Sequence, residues 1–130
     1  MPEEILKFSK WVFLFHVILG IVFTILYWAP VVSMPIFGVT FNSAAGAYSQ
    51  IVGATTAGLT LGSAFCYKAT EWKQAKIVVI IEVVWLGAAL VALTVNIMTL
   101  IAAAALLYIV VGGLFVLFLV VFLKQEGKMK

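Results

Sequence analysis

Four long apolar stretches, separated by short polar segments, dominate the chain. They cover residues of about 11–28, 44–67, 77–95 and 100–123. A helix needs about 20 apolar residues to cross a hydrocarbon core about 30 Å thick, so each stretch is long enough to span a bilayer. The short polar cluster from Asn96 to Thr99 predicts the turn between the last two helices. The pattern therefore predicts an all-α, up-down-up-down four-helix bundle that forms one transmembrane domain over residues 1–130.

The connections between these stretches differ in chemistry. Residues 29–43 contain two prolines and a glycine among large apolar side chains, which predicts an outer loop folded as a short hairpin. Residues 68–76 contain Lys68, Glu71, Lys73 and Lys76, which predict a charged loop on the opposite side. The first stretch is long and aromatic and has no clean cleavage site after it, so we expect a retained helix and no signal peptide.

Composition supports a membrane protein. The chain of 130 residues is 65% hydrophobic and 10% charged, far from the mix found in soluble domains. All eight basic residues are lysines, and they fall in three places that a four-span arrangement puts on one side of the membrane: Lys7 and Lys10; Lys68, Lys73 and Lys76; Lys124, Lys128 and Lys130.

The opposite side, residues 29–43 and the turn near Asn96, has no charged side chain. Because cytoplasmic loops carry the excess of lysine, both termini and residues 68–76 are predicted to lie in the cytoplasm, with the protein in the cytoplasmic membrane. The lysines are too sparse to indicate nucleic-acid binding, and we expect lipid headgroups as their partners.

Two ionisable side chains interrupt the apolar stretches. Glu82 follows Lys76 by six residues and His16 follows Lys10 by six, so both lie about 9 Å into their helices, at equal depth. A charged Glu facing lipid costs about 3 kcal/mol, so Glu82 is predicted to face the bundle interior. Two hypotheses stay open there. Either Glu82 and His16 form a pair that binds and releases a proton or cation, or Glu82 joins helices through bonds to His16, Ser63 or the Trp85 indole.

Small residues predict where helices approach each other. Candidate positions are Ala54, Gly58 and Gly62 in the second stretch and Gly112 and Gly113 in the fourth. Such residues serve contacts within one chain or between copies, and the sequence leaves both open. Two further faces have helical spacing: His16, Gly20, Phe23 and Tyr27 in the first stretch, and Ser49, Gly53, Thr56, Thr60, Ser63 and Tyr67 in the second.

Several kinds of chemistry are excluded. A single cysteine, Cys66, permits no internal disulfide or thiol metal cluster, and the single histidine excludes a bis-His haem. No HExxH, phosphate-binding glycine loop or nucleophile elbow occurs. We therefore expect no enzymatic activity, no cofactor and no metal.

The segment YSQIVGATTAGLTLGSAF, residues 48–65, follows a proline-containing loop and precedes a short basic turn. In this setting the chain resembles the small four-span proteins grouped as DoxX-like. The resemblance is architectural and covers most of the chain. It implies a four-helix membrane fold and no particular activity.

Three functional hypotheses follow. The first is a non-catalytic structural or accessory component of a homo- or hetero-oligomeric membrane complex, favoured by the small-residue face of the second stretch. The second is a homo-oligomeric proton- or cation-coupled transporter or channel that uses Glu82 and His16. The third is a lipid- or quinone-binding membrane module whose pocket is formed by the hydroxyl face of the second stretch and Trp85.

Overall fold

The computed structural model describes residues 4–100 and 103–127, and in this part of the chain the secondary structure is helical apart from one isolated bridge between Glu4 and Glu71. A π-helical turn, Tyr108–Gly112, joins the last two helices into one continuous helix. Lys128 and Lys130, and residues 101 and 102 of the predicted fourth span, lie outside the described residues. The helices are α1 (Lys7–Trp28), α2 (Pro30–Ile36), α3 (Ser43–Lys68), α4 (Trp72–Val95), α5 (Ala104–Leu107) and α6 (Gly113–Gln125).

Three helices in the described residues are long and apolar enough to cross a membrane: Lys7–Trp28, Trp72–Val95 and Ala104–Gln125. Helix α3 is 26 residues long, but glycine, alanine and hydroxyl residues take the place of many large aliphatic side chains. It is therefore not among the three. The prediction of an all-α chain with several candidate membrane spans is confirmed for the described residues.

Helices α1 and α3 form one antiparallel pair. The Lys10 ammonium, near the start of α1, donates to the backbone carbonyl of Tyr67, near the end of α3. At the other end of the pair, the Ser49 hydroxyl donates to the Tyr27 carbonyl at 2.9 Å. The long contact between these two helices makes them the most closely packed pair in the described chain.

The second antiparallel pair consists of α4 and the continuous helix of α5, the π-helical turn and α6. At one end, the Trp72 indole N–H donates to Glu126 Oε1 at 2.8 Å. At the other end, the Thr94 and Tyr108 hydroxyls lie 2.7 Å apart.

The two pairs join through contacts of α3 with α4 and of α1 with α6, so α1 and α4 face each other across the centre. The connected cluster of buried apolar residues lies in one half of the helix length, between the lysines and the level of Leu86 and Leu114. Its members are Ile5, Val12, Phe13, Cys66, Trp72, Ala75, Val79, Leu86, Leu114, Phe118 and Val121.

All described lysines lie at the same end of the four long helices, which we call the charged end. There, the Lys76 ammonium lies 2.7 Å from Glu126 Oε1. The Gln125 side-chain oxygen accepts hydrogen bonds from the Leu6 N–H and the Ser9 hydroxyl, which ties α6 to the start of α1. Residues 29–42 and 96–100 form the opposite, uncharged end.

The prediction of a hairpin in the outer loop is wrong, because residues Pro30–Ile36 form helix α2. Pro30 occupies the first helical turn, where its fixed φ suits a helix and its missing N–H costs nothing. Gly38, with φ of 71°, follows the end of this helix and turns the chain toward α3.

The predicted small residues make few contacts within the chain. A Cβ on Gly62 would lie 3.1 Å from Val78, and one on Gly112 would lie 3.8 Å from Leu90. At Gly58 and Gly113 a Cβ would meet no atom within 4 Å in the described part of the chain, and Ala54 is exposed.

The close approach of α1 to α3 depends on two other glycines. A Cβ on Gly20 would lie 2.0 Å from Thr60 Oγ1, and one on Gly53 would lie 2.7 Å from Trp28 Cδ1. Both positions therefore require glycine for helix packing, because any side chain would push the two helices apart.

Candidate functional site

Three helices contribute one polar side chain each to a buried cluster, His16 from α1, Ser63 from α3 and Glu82 from α4. His16 Nδ1 lies 2.7 Å from Ser63 Oγ and 3.3 Å from Glu82 Oε1, and the Ser63 hydroxyl donates to Glu82 Oε1 at 3.4 Å. His16 is 5% exposed, and Ser63 and Glu82 are fully buried. The structure thus brings together three of the four residues that the sequence singled out as a polar site.

The hydrogen-bond geometry constrains where the protons lie. Ser63 has one hydroxyl hydrogen, and an ionised carboxylate is only an acceptor. When Glu82 is ionised, Ser63 donates to Oε1, so His16 Nδ1 must carry the proton that faces both oxygens. The other ring nitrogen, Nε2, is then a hydrogen-bond acceptor in neutral His16 and a donor in the imidazolium.

The second carboxyl oxygen of Glu82, Oε2, is buried and has no hydrogen-bond partner among the described residues. Leaving a buried polar oxygen unsatisfied costs about 1–3 kcal/mol, and more when it is charged. The arrangement thus leaves Oε2 available to carry a proton or to accept a hydrogen bond from a donor.

The ring of His16 is held by α6. Phe118 meets it edge to face, with ring centroids 5.2 Å apart. Because Phe118 is itself fully buried, the imidazole has little freedom to turn away from Glu82. This contact could not be predicted from the sequence, since Phe118 is one apolar residue among many in the fourth stretch.

A cavity of about 50 Å³ lies beside His16, on the side of the cluster nearer the uncharged end. His16 is the member of the cluster that lines it. The whole stripe predicted on α1 contributes to its wall, together with residues of α3, α4 and the last helix. The lining residues are His16, Leu19, Gly20, Phe23, Tyr27, Thr56, Trp85, Leu86, Val110, Val111 and Leu114.

The π-helical turn forms part of this wall through Val110 and Val111. Turns of this kind widen a helix locally and are frequent at functional sites. The hydropathy pattern did not predict this turn, although Gly112 and Gly113 directly after Val111 mark a place where the helix backbone can deviate from regular geometry.

A larger recess of about 590 Å³, open to the surface, lies further toward the uncharged end, and we call it the chamber. The walls of the two spaces share Tyr27, Trp85 and Val111, so the cavity and the chamber are adjacent. The chamber is wide because Ala88, Ala89 and Ala92 line it on α4, and it reaches Asn96, Thr99 and Leu100.

Trp85 therefore lies on the wall of both cavities, one helical turn from Glu82, rather than within the hydrogen-bonded cluster. Ala89 and Asn96, which follow Glu82 at a spacing of seven residues along the chain, line the chamber as well. On α3, Gly53, Thr56, Thr60 and Ser63 of the predicted hydroxyl face are buried.

Within the described residues, no group of three or more His, Cys, Asp and Glu side chains could hold a metal ion. Cys66 lies on α3 one turn nearer the charged end than Ser63 and is buried in the apolar core. The cluster can thus form hydrogen bonds and exchange protons at the His16 imidazole and the Glu82 carboxyl group.

No protein-family model matches the chain, and no curated protein or solved structure is significantly similar to it. The DoxX-like resemblance therefore stays a prediction.

Proposed function

We propose that the chain is an integral protein of the cytoplasmic membrane that crosses the bilayer four times, with both termini and the charged end in the cytoplasm. The three apolar helices are joined by α3, whose 26 residues extend about 39 Å, more than the thickness of the hydrocarbon core. The lysine distribution supports this orientation.

The hydroxyl groups of α3 are compatible with lipid because they bond within the chain. The Thr55, Thr56 and Thr60 hydroxyls donate to backbone carbonyls four residues earlier, at 3.3, 2.9 and 2.7 Å. A hydroxyl bonded in this way does not need water, which removes much of the cost of placing it in hydrocarbon.

Within this membrane protein, we propose a non-catalytic binding function, with an amphiphilic small molecule of the lipid or quinone-like kind as ligand. The observation that carries the proposal is the space formed by the chamber and the adjacent cavity beside His16, whose walls share Tyr27, Trp85 and Val111. Its volume lies in the range of small-molecule sites, its walls are apolar, and its inner end is polar. An apolar tail fits the chamber, and a polar head reaches His16.

The recognition chemistry follows from the cluster. Glu82 and Ser63 hold His16 Nδ1, which leaves Nε2 for the ligand. A carboxylate behind an imidazole fixes its tautomer and orientation, so Glu82 and Ser63 act as positioning residues for His16.

The test is a chamber-filling variant. Ala89→Phe places a ring in the chamber, while Val91→Phe adds the same ring on the exposed face of α4. Small molecules that copurify in mild detergent are extracted and quantified by mass spectrometry. Overfilling the chamber costs about 1–3 kcal/mol, so Ala89→Phe should retain about tenfold less amphiphile than the wild type. Val91→Phe should retain as much amphiphile as the wild type. Equal retention by both variants would contradict the proposal.

A second candidate function is a structural or accessory role in a homo- or hetero-oligomeric membrane complex. It is favoured by the exposed strip around Ala54 and Gly58 on α3, where the helix backbone is open to a neighbour. Loss of association on enlarging Gly58, without unfolding, would support it. Proton- or cation-coupled transport is the third candidate, and it would use the same His16 and Glu82.

A further inference from the structure

The membrane-embedded part of this chain contains a single carboxyl group and a single basic side chain. Residues 11–67 contain no Asp, Glu, Lys or Arg, and residues 77–123 contain only Glu82. His16 is the one histidine of the chain, and it contacts Glu82 directly. The net charge at the inner end of the cavity is therefore set by the protons on these two groups.

From this balance we propose that the cavity takes a cationic amphiphile, an ammonium with an N–H group on an apolar tail, in exchange for one proton held by the Glu82–His16 pair. The inference rests on the proposed binding function and names the chemical class of its ligand. The ligand reaches the pair from the uncharged end.

The protonation states of the pair differ in net charge by one unit at each step. When the pair has lost one proton from its neutral state, Glu82 is ionised and His16 is neutral. The negative charge is then uncompensated in a medium that solvates it poorly. A proton or a bound cation restores neutrality. A neutral ligand leaves the proton in place, and an anion requires a second proton on His16.

Other ionisable groups near the pair do not supply this compensation. Lys10 donates to backbone carbonyls of Tyr67 and Ala69, and Lys76 pairs with Glu126, all at the charged end. The remaining titratable groups that face the cluster or its cavity are the thiol of Cys66 on α3 and the phenol of Tyr27 on α1. Both are neutral acids and offer no positive charge.

The α6 side of the cluster is apolar. Phe118 contacts the His16 ring, and Leu114 lines the cavity beside it. From α4, the side chains that flank Glu82 toward the cavity are Trp85 and Leu86. The pair thus has no cationic side chain facing it in the described residues, and the positive charge must come from a proton or from the ligand.

The cavity also offers groups that bind an ammonium. Its N–H can donate to His16 Nε2 while Nδ1–H donates to ionised Glu82, so the imidazole links the two charges. The rings of Trp85, Tyr27 and Phe23 line the same cavity, and aromatic faces attract cations. In the exchange, the proton leaves for the solvent at the uncharged end and no covalent bond of the ligand changes.

The experiment compares three probes with the same tail: octylammonium, octanol and octanoate. The full-length protein in nanodiscs contains isotope-labelled histidine, so His16 gives the only imidazole signals, and empty nanodiscs correct for partitioning. Octylammonium should shift the His16 signals and release about one proton per molecule bound. Over the pH range in which the free pair is protonated, its affinity should rise roughly tenfold for each unit of increase in pH. Octanol should bind without proton release, and octanoate most weakly.

Two variants locate the effect. Glu82→Gln should remove the pH dependence and reduce octylammonium binding to the level of octanol. Glu82→Asp keeps a carboxyl group and should restore proton release, which separates a charge effect from misfolding of the glutamine variant.

Two failures are distinguishable. If none of the three probes shifts the His16 signals, the proposed binding function is wrong. If octanol and octylammonium bind equally, with no proton release, the cavity binds amphiphiles but the cation–proton exchange is refuted.

Discussion

At the scale of single residues, Ser63 joins the two ionisable groups of the helices. It lies 2.7 Å from His16 Nδ1 and donates to Glu82 at 3.4 Å. The equal depth of His16 and Glu82 could be read from their distance to the nearest lysine, because helical rise is constant. The helix rotation that turns both side chains toward Ser63 could not be predicted in this way, since it depends on how three helices pack against each other.

We expect Ser63→Ala to destabilise the protein by about 1–3 kcal/mol, because it leaves His16 and Glu82 with fewer partners in a buried site. Unfolding in mixed micelles measures the difference. Thr55→Ala is the matched control, since this exposed hydroxyl bonds only to its own helix and its loss should cost within about 0.5 kcal/mol. Equal stability of the two variants would show that the cluster adds nothing to folding.

At the scale of the element, α3 combines the length of a membrane span with a small and hydroxyl-rich composition. The sequence of α3 indicated that its glycines allow other helices to pack closely against it. It did not distinguish Gly53, pressed against Trp28, from Gly58, which touches nothing in the described chain. Both lie in similar local sequence, and only the face turned toward α1 makes the difference.

Two glycine substitutions separate these faces. Gly20→Val should destabilise the fold by about 1–3 kcal/mol, because its Cβ would overlap with Thr60. Gly58→Val should leave stability unchanged or slightly higher. Unfolding curves measure the first effect, and size-exclusion chromatography in mild detergent measures association.

If the accessory role is correct, Gly58→Val also lowers the oligomeric state while Gly113→Val, at another open glycine, does not. A Gly20→Val variant as stable as the wild type would contradict the close α1–α3 contact.

At the scale of the whole molecule, the buried apolar cluster and the chamber lie toward opposite ends of the two antiparallel pairs. The core, the hydrogen bonds of Gln125 and the Lys76–Glu126 pair close one end. Alanines on α4 leave space at the other. The proposed binding site depends on these features lying at opposite ends of the same bundle.

The four-span topology is tested by single cysteines in a Cys66→Ala background. Thr40→Cys and Met98→Cys should react with an impermeant maleimide added outside intact cells, and Lys73→Cys only after permeabilisation. If α3 does not cross, Thr40→Cys and Lys73→Cys label on the same side and Met98→Cys on the other. That result would overturn both the topology and the proposed access to His16.

The sequence by itself determined the helical class, the gathering of the lysines at one end and the common depth of His16 and Glu82, because these depend on hydropathy and on distance along each helix. Tertiary structure alone decided that Ser63 completes the cluster, that Gly20 and Gly53 carry the close contact, and that a chamber opens above His16. These features depend on helix rotation and on the fit of side chains from different helices, which no single helix encodes.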